Sequence, residues 1–302
     1  MLFRSQAYER AVELAPSDAR LAYEYDQLRR KLNDAPGTRL AALEKNLGLV
    51  LSRDDFCVEY LSLLNLQEQY KPALELLTTR RFHPWEGGEG KVLAQYRIAQ
   101  IGIGRKELES GKPAAALEHF NAASQPPPNL GEEFHYLQAR SDLNYWKGQA
   151  LQMLGHQEEA ETAYKASANE AQDFKEMAVT SYSAFTYYRG LSLRALGHES
   201  EADQLFDSLR KRGQELQQLP GTIDYFATSL PNMLVFEEDL TLRNQWDGQF
   251  LEGLALLAQG DSAAAKTLFT QVLHSDTSHY PATDQLRSIG RDELPFIRQR
   301  TL

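Results

Sequence analysis

A four-point pattern returns along the chain and restricts what the chain can fold into. A Gly is followed seven residues later by a second Gly, then after five residues by an Ala, and after four more by Phe or Tyr. The four copies are Gly104, Gly111, Ala116, Phe120; Gly148, Gly155, Ala160, Tyr164; Gly190, Gly197, Ala202, Phe206; and Gly253, Gly260, Ala265, Phe269. Four copies are hard to obtain by chance, so the pattern indicates a repeat protein.

Each position of the pattern has a physical reason in a pair of helices. A Gly inside a helix costs about 1 kcal/mol relative to Ala, which is tolerable where a neighbouring helix crosses closely. We expect the repeat Ala to be its small counterpart on the second helix. The second Gly, followed by polar residues, predicts a left-handed helix end. The aromatic residue falls one turn after the Ala, on the same face, and fills the core.

The order of small residue, turn glycine, Ala, aromatic residue and later Pro resembles the tetratricopeptide repeat (TPR). Pro128 lies eight residues after Phe120, and Pro16 lies eight residues after Tyr8. The resemblance implies an all-α fold, a right-handed superhelical solenoid of antiparallel TPR-like helix pairs. The copies are 44, 42 and 63 residues apart, against about 34 in the standard repeat, so some helices or connections are longer.

A weaker copy precedes the four clear ones. Tyr70, Ala73 and Leu77 match the second half of the pattern, but Leu61 and Glu68 replace the two glycines. The repeat therefore degenerates towards the N-terminus.

We treat residues 1–302 as a single TPR-like α-solenoid. Its parts are degenerate N-terminal repeats at 6–92, regular repeats at 93–209, an insertion at 210–245, the last repeat at 246–285 and a C-terminal tail at 286–302. Residues 1–5 contain Leu-Phe-Arg-Ser, which the end of a common sequencing adapter encodes, and we interpret them as an assembly artefact. Tyr8 would end a repeat whose first helix lies before Met1, so we expect the chain to be a fragment.

Composition excludes several classes of function. The formal net charge is −10, whereas nucleic-acid binding needs a basic face that displaces counterions, so we expect no nucleic-acid partner. We find no membrane helix and no secretory signal. Cys57 is the only cysteine and lies in an apolar helical pattern, which predicts a small core residue. A chain without disulfides fits a reducing compartment, and we expect a cytoplasmic protein.

Residues 81–91 fall outside the repeat and carry the main candidate site. The residues that we expect to bind there are His83, Trp85, Glu86, Gly87, Gly88, Glu89 and Gly90. Trp85 would stack on a ligand or partner, Glu86 and Glu89 would accept hydrogen bonds, and His83 would orient a carboxylate. In the alternative interpretation, this segment is a structural turn in which Trp85 fills a gap between helix pairs.

Two other segments interrupt the repeat. Residues 126–135, Pro-Pro-Pro-Asn-Leu-Gly-Glu-Glu-Phe-His, occupy the same place one repeat later and favour a structural role for both loops. Residues 224–240 are apolar, aromatic and broken by Pro231. We expect this third segment to pack on the solenoid, with docking of a partner domain as the alternative.

The strings FHPWEGGEGKV, PPPNLGE and DYFATSLPNMLVFEEDL resemble a bacterial family in which TPR-like repeats follow a large N-terminal domain of unknown function. That domain is a galactose-mutarotase-like β-sandwich, and the resemblance covers about residues 55–285. It implies that this chain is part of a larger bacterial protein, that the sandwich domain is its partner, and that carbohydrate is a possible ligand of the parent.

No catalytic constellation stands out in the sequence. His83, Glu86 and Glu89 could touch a metal, but a Gly-rich loop is a poor rigid cage and lacks a second His. A phosphate-binding loop, a dinucleotide fingerprint and a nucleophile elbow are all missing. We therefore expect no catalytic residue, cofactor or metal in this chain.

Two hypotheses of function follow. In the first, the chain is a non-catalytic scaffold that binds a protein or peptide segment, and Tyr145, Tyr187 and Phe250 face its groove three residues before each repeat Gly. The alternative for these three rings is packing between helices. In the second hypothesis, the chain is the helical part of a carbohydrate-active enzyme, and residues 81–91 complete a sugar site on the sandwich domain.

Overall fold

The chain forms an all-α solenoid, as the repeat pattern predicts. The computed structural model describes residues 2–135, 138–170, 173–175, 178–221, 236 and 239–290. About 73% of the described residues are helical, and successive helices pack on their neighbours. The described part of the chain is therefore built from helices, with very little strand.

The described residues contain fifteen α-helices, one 3₁₀ turn and two short strands. The helices are α1 (Leu2–Leu14), α2 (Ala19–Lys31), α3 (Pro36–Glu44), α4 (Leu47–Val50), α5 (Asp54–Leu66), α6 (Tyr70–Thr79), α7 (Lys91–Glu109), α8 (Pro113–Ala122), α9 (Ser141–Met153), α10 (Gln157–Asn169), α11 (Ala184–Ala195), α12 (Glu199–Leu216), α13 (Leu240–Ala258), α14 (Ser262–Ser275) and α15 (Tyr280–Gly290). The 3₁₀ turn spans Pro128–Leu130, and strands β1 (Asp173–Lys175) and β2 (Ala178–Thr180) pair antiparallel between α10 and α11.

Five helix pairs form the body of the solenoid: α5 with α6, α7 with α8, α9 with α10, α11 with α12 and α13 with α14. Each first helix packs on the first helix of the next pair, and each second helix packs on the first helix that follows it. Second helices of adjacent pairs scarcely touch one another. The first helices therefore form the inner, concave layer of the stack, and the second helices form its outer layer.

The repeat glycines mark the point of closest approach within each pair. A Cβ added at Gly190 would lie 2.3 Å from the ring of Phe206, and one added at Gly148 would lie 2.4 Å from the ring of Tyr164. Gly104 and Gly253 have the same relation to the aromatic residue of their own pairs, at 2.4 and 2.5 Å. The small residue thus makes room for the aromatic ring and not, as we expected, for the repeat Ala.

The turn glycines take the left-handed conformation that the pattern predicts. Their φ angles are +71° at Gly111, +81° at Gly155, +85° at Gly197 and +91° at Gly260. In the weaker copy, Glu68 stands at the same position and adopts φ +57°. The turn is therefore kept even where the glycine is lost, although a side chain is strained there.

The weaker copy also replaces the glycine–aromatic contact. Leu61 stands in the place of the glycine and Leu77 in the place of the aromatic ring, and both are fully buried in one core cluster. Two residues of intermediate size then fill the space that a very small and a large residue fill elsewhere.

Cys57 lies in the same core cluster as Leu61 and Leu77. Burial raises the pKa of its thiol to about 12, so the group is a neutral core residue, as its sequence context indicates. No helix in the described part of the chain is long and apolar enough to cross a membrane.

The domain limits that we expected from the sequence do not coincide with helix ends. Helix α12 runs to Leu216 and α13 begins at Leu240, so both extend into the expected insertion at 210–245. Helix α15 crosses the expected limit between residues 285 and 286. Residues 224–235 and 237–238, the larger part of the third non-repeat segment, lie outside the described residues.

The glycine–aromatic contact can be tested with a double-mutant cycle. Gly190→Leu fills the space of the Phe206 ring, and we expect it to lower the free energy of unfolding by about 1–3 kcal/mol through overpacking. Adding Phe206→Leu recreates the Leu–Leu combination of the weaker copy, so we expect a favourable coupling of about 0.5–3 kcal/mol between the two changes. Urea unfolding followed by far-UV circular dichroism measures both quantities.

Gly37→Leu is the matched control, because Gly37 is exposed near the start of α3 and nothing lies within 4 Å of an added Cβ. We expect it to change stability by no more than about 0.5 kcal/mol. Strictly additive losses for Gly190→Leu and Phe206→Leu would show that the two side chains do not compete for one space.

Candidate functional site

The last described helix, α15, lies against the concave layer of the solenoid. After α14 the chain makes a short connection, and α15 then packs on α14 and reaches back to α5 at the other end of the stack. Three sets of polar contacts hold this connection and α15 in place, and none of their residues was among the predicted site residues.

The first set joins the connection before α15 to the turn between α2 and α3. The Nδ2 atom of Asn33 donates to the carbonyl oxygens of Ser275 (2.8 Å) and His274 (3.3 Å), and its Oδ1 atom accepts from the Thr277 amide (3.3 Å). Thr277 Oγ1 also donates to the Asp34 carbonyl (3.4 Å). Asn33 has φ +59°, so its side chain is presented from a left-handed turn.

The second set is built around Arg39, a fully buried arginine on α3. Its guanidinium donates to both carboxylate oxygens of Asp26 (3.0 and 2.5 Å), approaches Glu59 (3.4 Å) and donates to Ser278 Oγ (3.0 Å). Burial raises the pKa of Asp26 despite the contact with Arg39. Burial acts in the same direction on Glu59, but Arg30 and Arg39 outweigh it, so the pKa of Glu59 is lowered.

The third set holds α15 itself. Arg105 Nη1 on α7 donates to both carboxylate oxygens of Asp284 (2.8 and 2.6 Å), and the two side chains are only 13% and 12% exposed. One turn earlier on α15, the Tyr280 hydroxyl lies 3.3 Å from the Tyr70 hydroxyl. Burial works against the charge of Arg105, but Asp284 and the neighbouring tyrosines keep its pKa well above the usual value.

Aromatic rings surround this ion pair. The guanidinium of Arg105 lies 5.1 Å from the centre of the Trp146 ring, close enough for a cation–π contact. Tyr188 packs on Tyr145 (5.8 Å) and on Trp146 (6.5 Å). The inner layer thus surrounds a cation with aromatic rings, and α15 supplies the carboxylate that faces it.

The three predicted groove residues are part of the same layer but are not exposed. Tyr145, Tyr187 and Phe250 are 7%, 4% and 6% exposed. Each ring contacts the repeat aromatic of its own pair, at centroid distances of 6.2, 6.4 and 5.6 Å. The structure therefore shows packing between helices, which was the alternative interpretation, and a binding role for these rings stays a prediction.

The loop at residues 81–91 is braced by the second non-repeat loop. Phe82 is buried, and its amide donates to the Asn129 carbonyl (2.8 Å). The Asn129 side chain in turn donates to the carbonyls of Leu77 and Arg80, both at 2.7 Å. The echo between the two loops in the sequence therefore corresponds to direct contact between them.

The remaining loop residues divide into packed and exposed groups. The Trp85 ring is half-buried and covers Gly88, where an added Cβ would lie 2.0 Å from it. Glu86, Gly87 and Glu89 are exposed. The Gly90 amide donates to Glu132 (2.7 Å), a contact that the sequence did not indicate, and burial raises the pKa of that carboxyl.

His83 contacts a carboxylate outside the loop, that of Asp54 at the start of α5. The distance from His83 Nδ1 to Asp54 Oδ2 is 3.2 Å, and the His83 amide donates to the same oxygen (3.0 Å). Arg80 lowers the pKa of Asp54, together with the contacts from His83, against the opposing effect of burial. Within the described ranges, no three His, Cys, Asp or Glu residues form a group that could hold a metal ion.

Four tyrosines of the inner layer and of α15 predict a loss of stability at high pH. Burial raises the pKa of Tyr145, Tyr187, Tyr188 and Tyr280 in the folded protein, whereas free tyrosine titrates near pH 10. Above about pH 10 the unfolded chain releases protons that the folded chain keeps. We therefore expect stability to fall by up to about 1.4 kcal/mol per pH unit for each such tyrosine.

Urea midpoints at pH 8 and pH 11 measure this effect, and Tyr187→Phe is the matched variant because it keeps the ring and removes the ionisable group. We expect a shallower decline with pH for the variant. An identical decline in both chains would mean that Tyr187 ionises without unfolding.

No model of a known protein family matches the chain. Its assignment as a helical-repeat protein therefore depends on the repeated residues and on the packing of successive helix pairs.

Proposed function

We propose that this chain is a non-catalytic, TPR-like binding module whose concave inner layer holds a helical segment of polypeptide. One observation carries the proposal: the solenoid already holds a helix, α15, against its inner layer. A buried ion pair with α7, a contact with Tyr70 at the start of α6 and the buried Ala282 hold it there. A surface with these groups is suited to a peptide helix that offers complementary side chains.

The TPR-like identity has support from two sides. The sequence pattern contains the small residue, the turn glycine, the Ala and the aromatic residue in the TPR order. The first helices form the inner layer of the stack, which is the layer that would contact a ligand in a solenoid of this kind. An N-terminal β-sandwich domain as the natural partner is supported by the sequence resemblance alone.

A full-length Asp284→Arg chain tests the proposal. The new charge repels Arg105, so we expect α15 to leave the inner layer. A fluorescent peptide of residues 276–290 with the natural Asp should then bind in its place, and fluorescence anisotropy should show saturable binding. Glu118→Arg is the control, because Glu118 is an exposed carboxylate on the outer helix α8, and we expect that chain to bind like the wild type.

Circular dichroism must show that the Asp284→Arg chain is folded. A folded variant that binds neither the natural peptide nor the same peptide in helical, cross-linked form would show that the inner layer is not a binding surface.

The alternative function is a sugar site at residues 81–91 of a carbohydrate-active parent. What favours it is a half-exposed Trp85 beside exposed Glu86 and Glu89, on a loop that the second loop holds rigid. Aromatic faces beside carboxylates suit sugar hydroxyls and ring C–H groups. The contact of Trp85 with Gly88 gives the ring a packing role as well.

Trp85→Ala separates the two roles. We expect it to lower the free energy of unfolding by about 1–3 kcal/mol, since a half-buried ring leaves its packing site. Galactose, titrated into the wild-type chain at millimolar concentration, should not change the tryptophan fluorescence. A saturable change that disappears in Trp85→Ala would instead favour the sugar site.

A further inference from the structure

Helix α15 buries less apolar surface than the inner-layer helices do. Its buried residues are Ala282, Asp284 and Gln285. Leu286 and Ile289 also pack against the core, but each is only partly buried. Helix α13, which belongs to the inner layer itself, buries Phe250 and four leucines. Since apolar burial dominates local stability, α15 should open at a lower free-energy cost than its neighbours.

The polar contacts that hold α15 are directional. Tyr280 and Asp284 are four residues apart and therefore lie on one face of the helix, where they meet Tyr70 and Arg105. A buried ion pair contributes little net stability but discriminates strongly between partners, because a buried charge without its counter-charge is costly. The inner layer therefore selects for a carboxylate at the position of Asp284.

The connection to α15 is anchored separately from the helix. Asn33 holds Thr277 and Arg39 holds Ser278, and both contacts precede the first residue of α15. Helix α15 can therefore swing away while residues 275–278 stay in place. In this arrangement, α15 is the part that can move, and residues 275–278 keep it attached to the solenoid.

We propose that α15 is a displaceable, built-in ligand and that the natural partner is an acidic helix of another protein, with an aromatic residue and an Asp or Glu one turn apart. This inference rests on the proposed function and names its partner class and its regulation. The partner helix places its aromatic residue against Tyr70 and its carboxylate against Arg105. In its absence α15 covers the same groups, so binding requires that α15 leave.

Hydrogen exchange of the wild-type chain tests the opening without any mutation. We expect the amides of residues 283–290 to exchange at least about tenfold faster than those of α13, because local opening exposes only α15. Excess peptide of residues 276–290 should accelerate that exchange further, to a plateau. Amides of α15 that exchange as slowly as those of α13, with or without peptide, would overturn the proposal.

Peptide affinity tests the chemistry of the partner. We expect the wild-type chain to bind the peptide about tenfold or more weakly than the Asp284→Arg chain, since α15 occupies the site for most of the time. A peptide carrying Asp284→Asn should bind the Asp284→Arg chain at least about tenfold more weakly than the natural peptide. Equal binding of the two peptides would overturn the requirement for a carboxylate.

The two proposals fail in different ways. If the Asp284→Arg chain binds the peptide but α15 of the wild type does not open, the inner layer binds helices and displacement of α15 is refuted. If the folded Asp284→Arg chain binds no peptide, the binding function of the inner layer is refuted as well.

Discussion

The close contact between a glycine on one helix and an aromatic ring on the next is the constraint on which the solenoid depends. Within each clear pair, the ring occupies the space that any side chain at the glycine would need. Two helices can approach at that distance only if one of them has no Cβ at the crossing. The distance and crossing point within a pair are therefore set by two residues, and the remaining apolar positions fill the space around them.

Stacking such pairs produces a concave layer that is not simply apolar. The first helices contribute aromatic rings, but α7 also places Arg105 where water has little access. Helix α3, which precedes the five pairs, does the same with Arg39. A buried guanidinium needs hydrogen-bond acceptors, and a carboxylate is the strongest available. Asp26 supplies it for Arg39 within the N-terminal helices, whereas Asp284 supplies it for Arg105 from the far end of the chain. That electrostatic requirement and apolar packing against the core both fix the position of α15.

The sequence was a good guide to everything that repeats. The helix pairs, the left-handed turn glycines and the buried Ala and aromatic positions could be predicted because each copy reports the same local geometry. One prediction about these positions was wrong: the side chain that packs on the first glycine is the aromatic ring and not the Ala. Spacing along the chain does not show which side chain lies closest to the glycine.

Contacts between distant segments could not be predicted in this way. Asn33 and Thr277 are 244 residues apart, and Arg105 and Asp284 are 179 apart. Each of these contacts occurs once, so no repeated sequence pattern indicates it. The Tyr280–Asp284 spacing on one helix face was visible in the sequence, but nothing there identified Tyr70 and Arg105 as their partners.

The candidate loop and the C-terminal helix differ in how firmly they are held, and this difference bears on where function lies. Residues 81–91 are tied to residues 128–132 by backbone and side-chain hydrogen bonds, by the buried ring of Phe82 and by the Gly90–Glu132 contact. These contacts join the pair α5–α6 to the pairs that follow, so the loop acts as a brace. Helix α15 instead has one buried ion pair, one tyrosine contact, one buried methyl group and two partly buried apolar side chains. Elements that exchange partners come from the least stable parts of a fold. Helix α15 buries less apolar surface than the inner-layer helices, so we expect function to lie there and not in the braced loop.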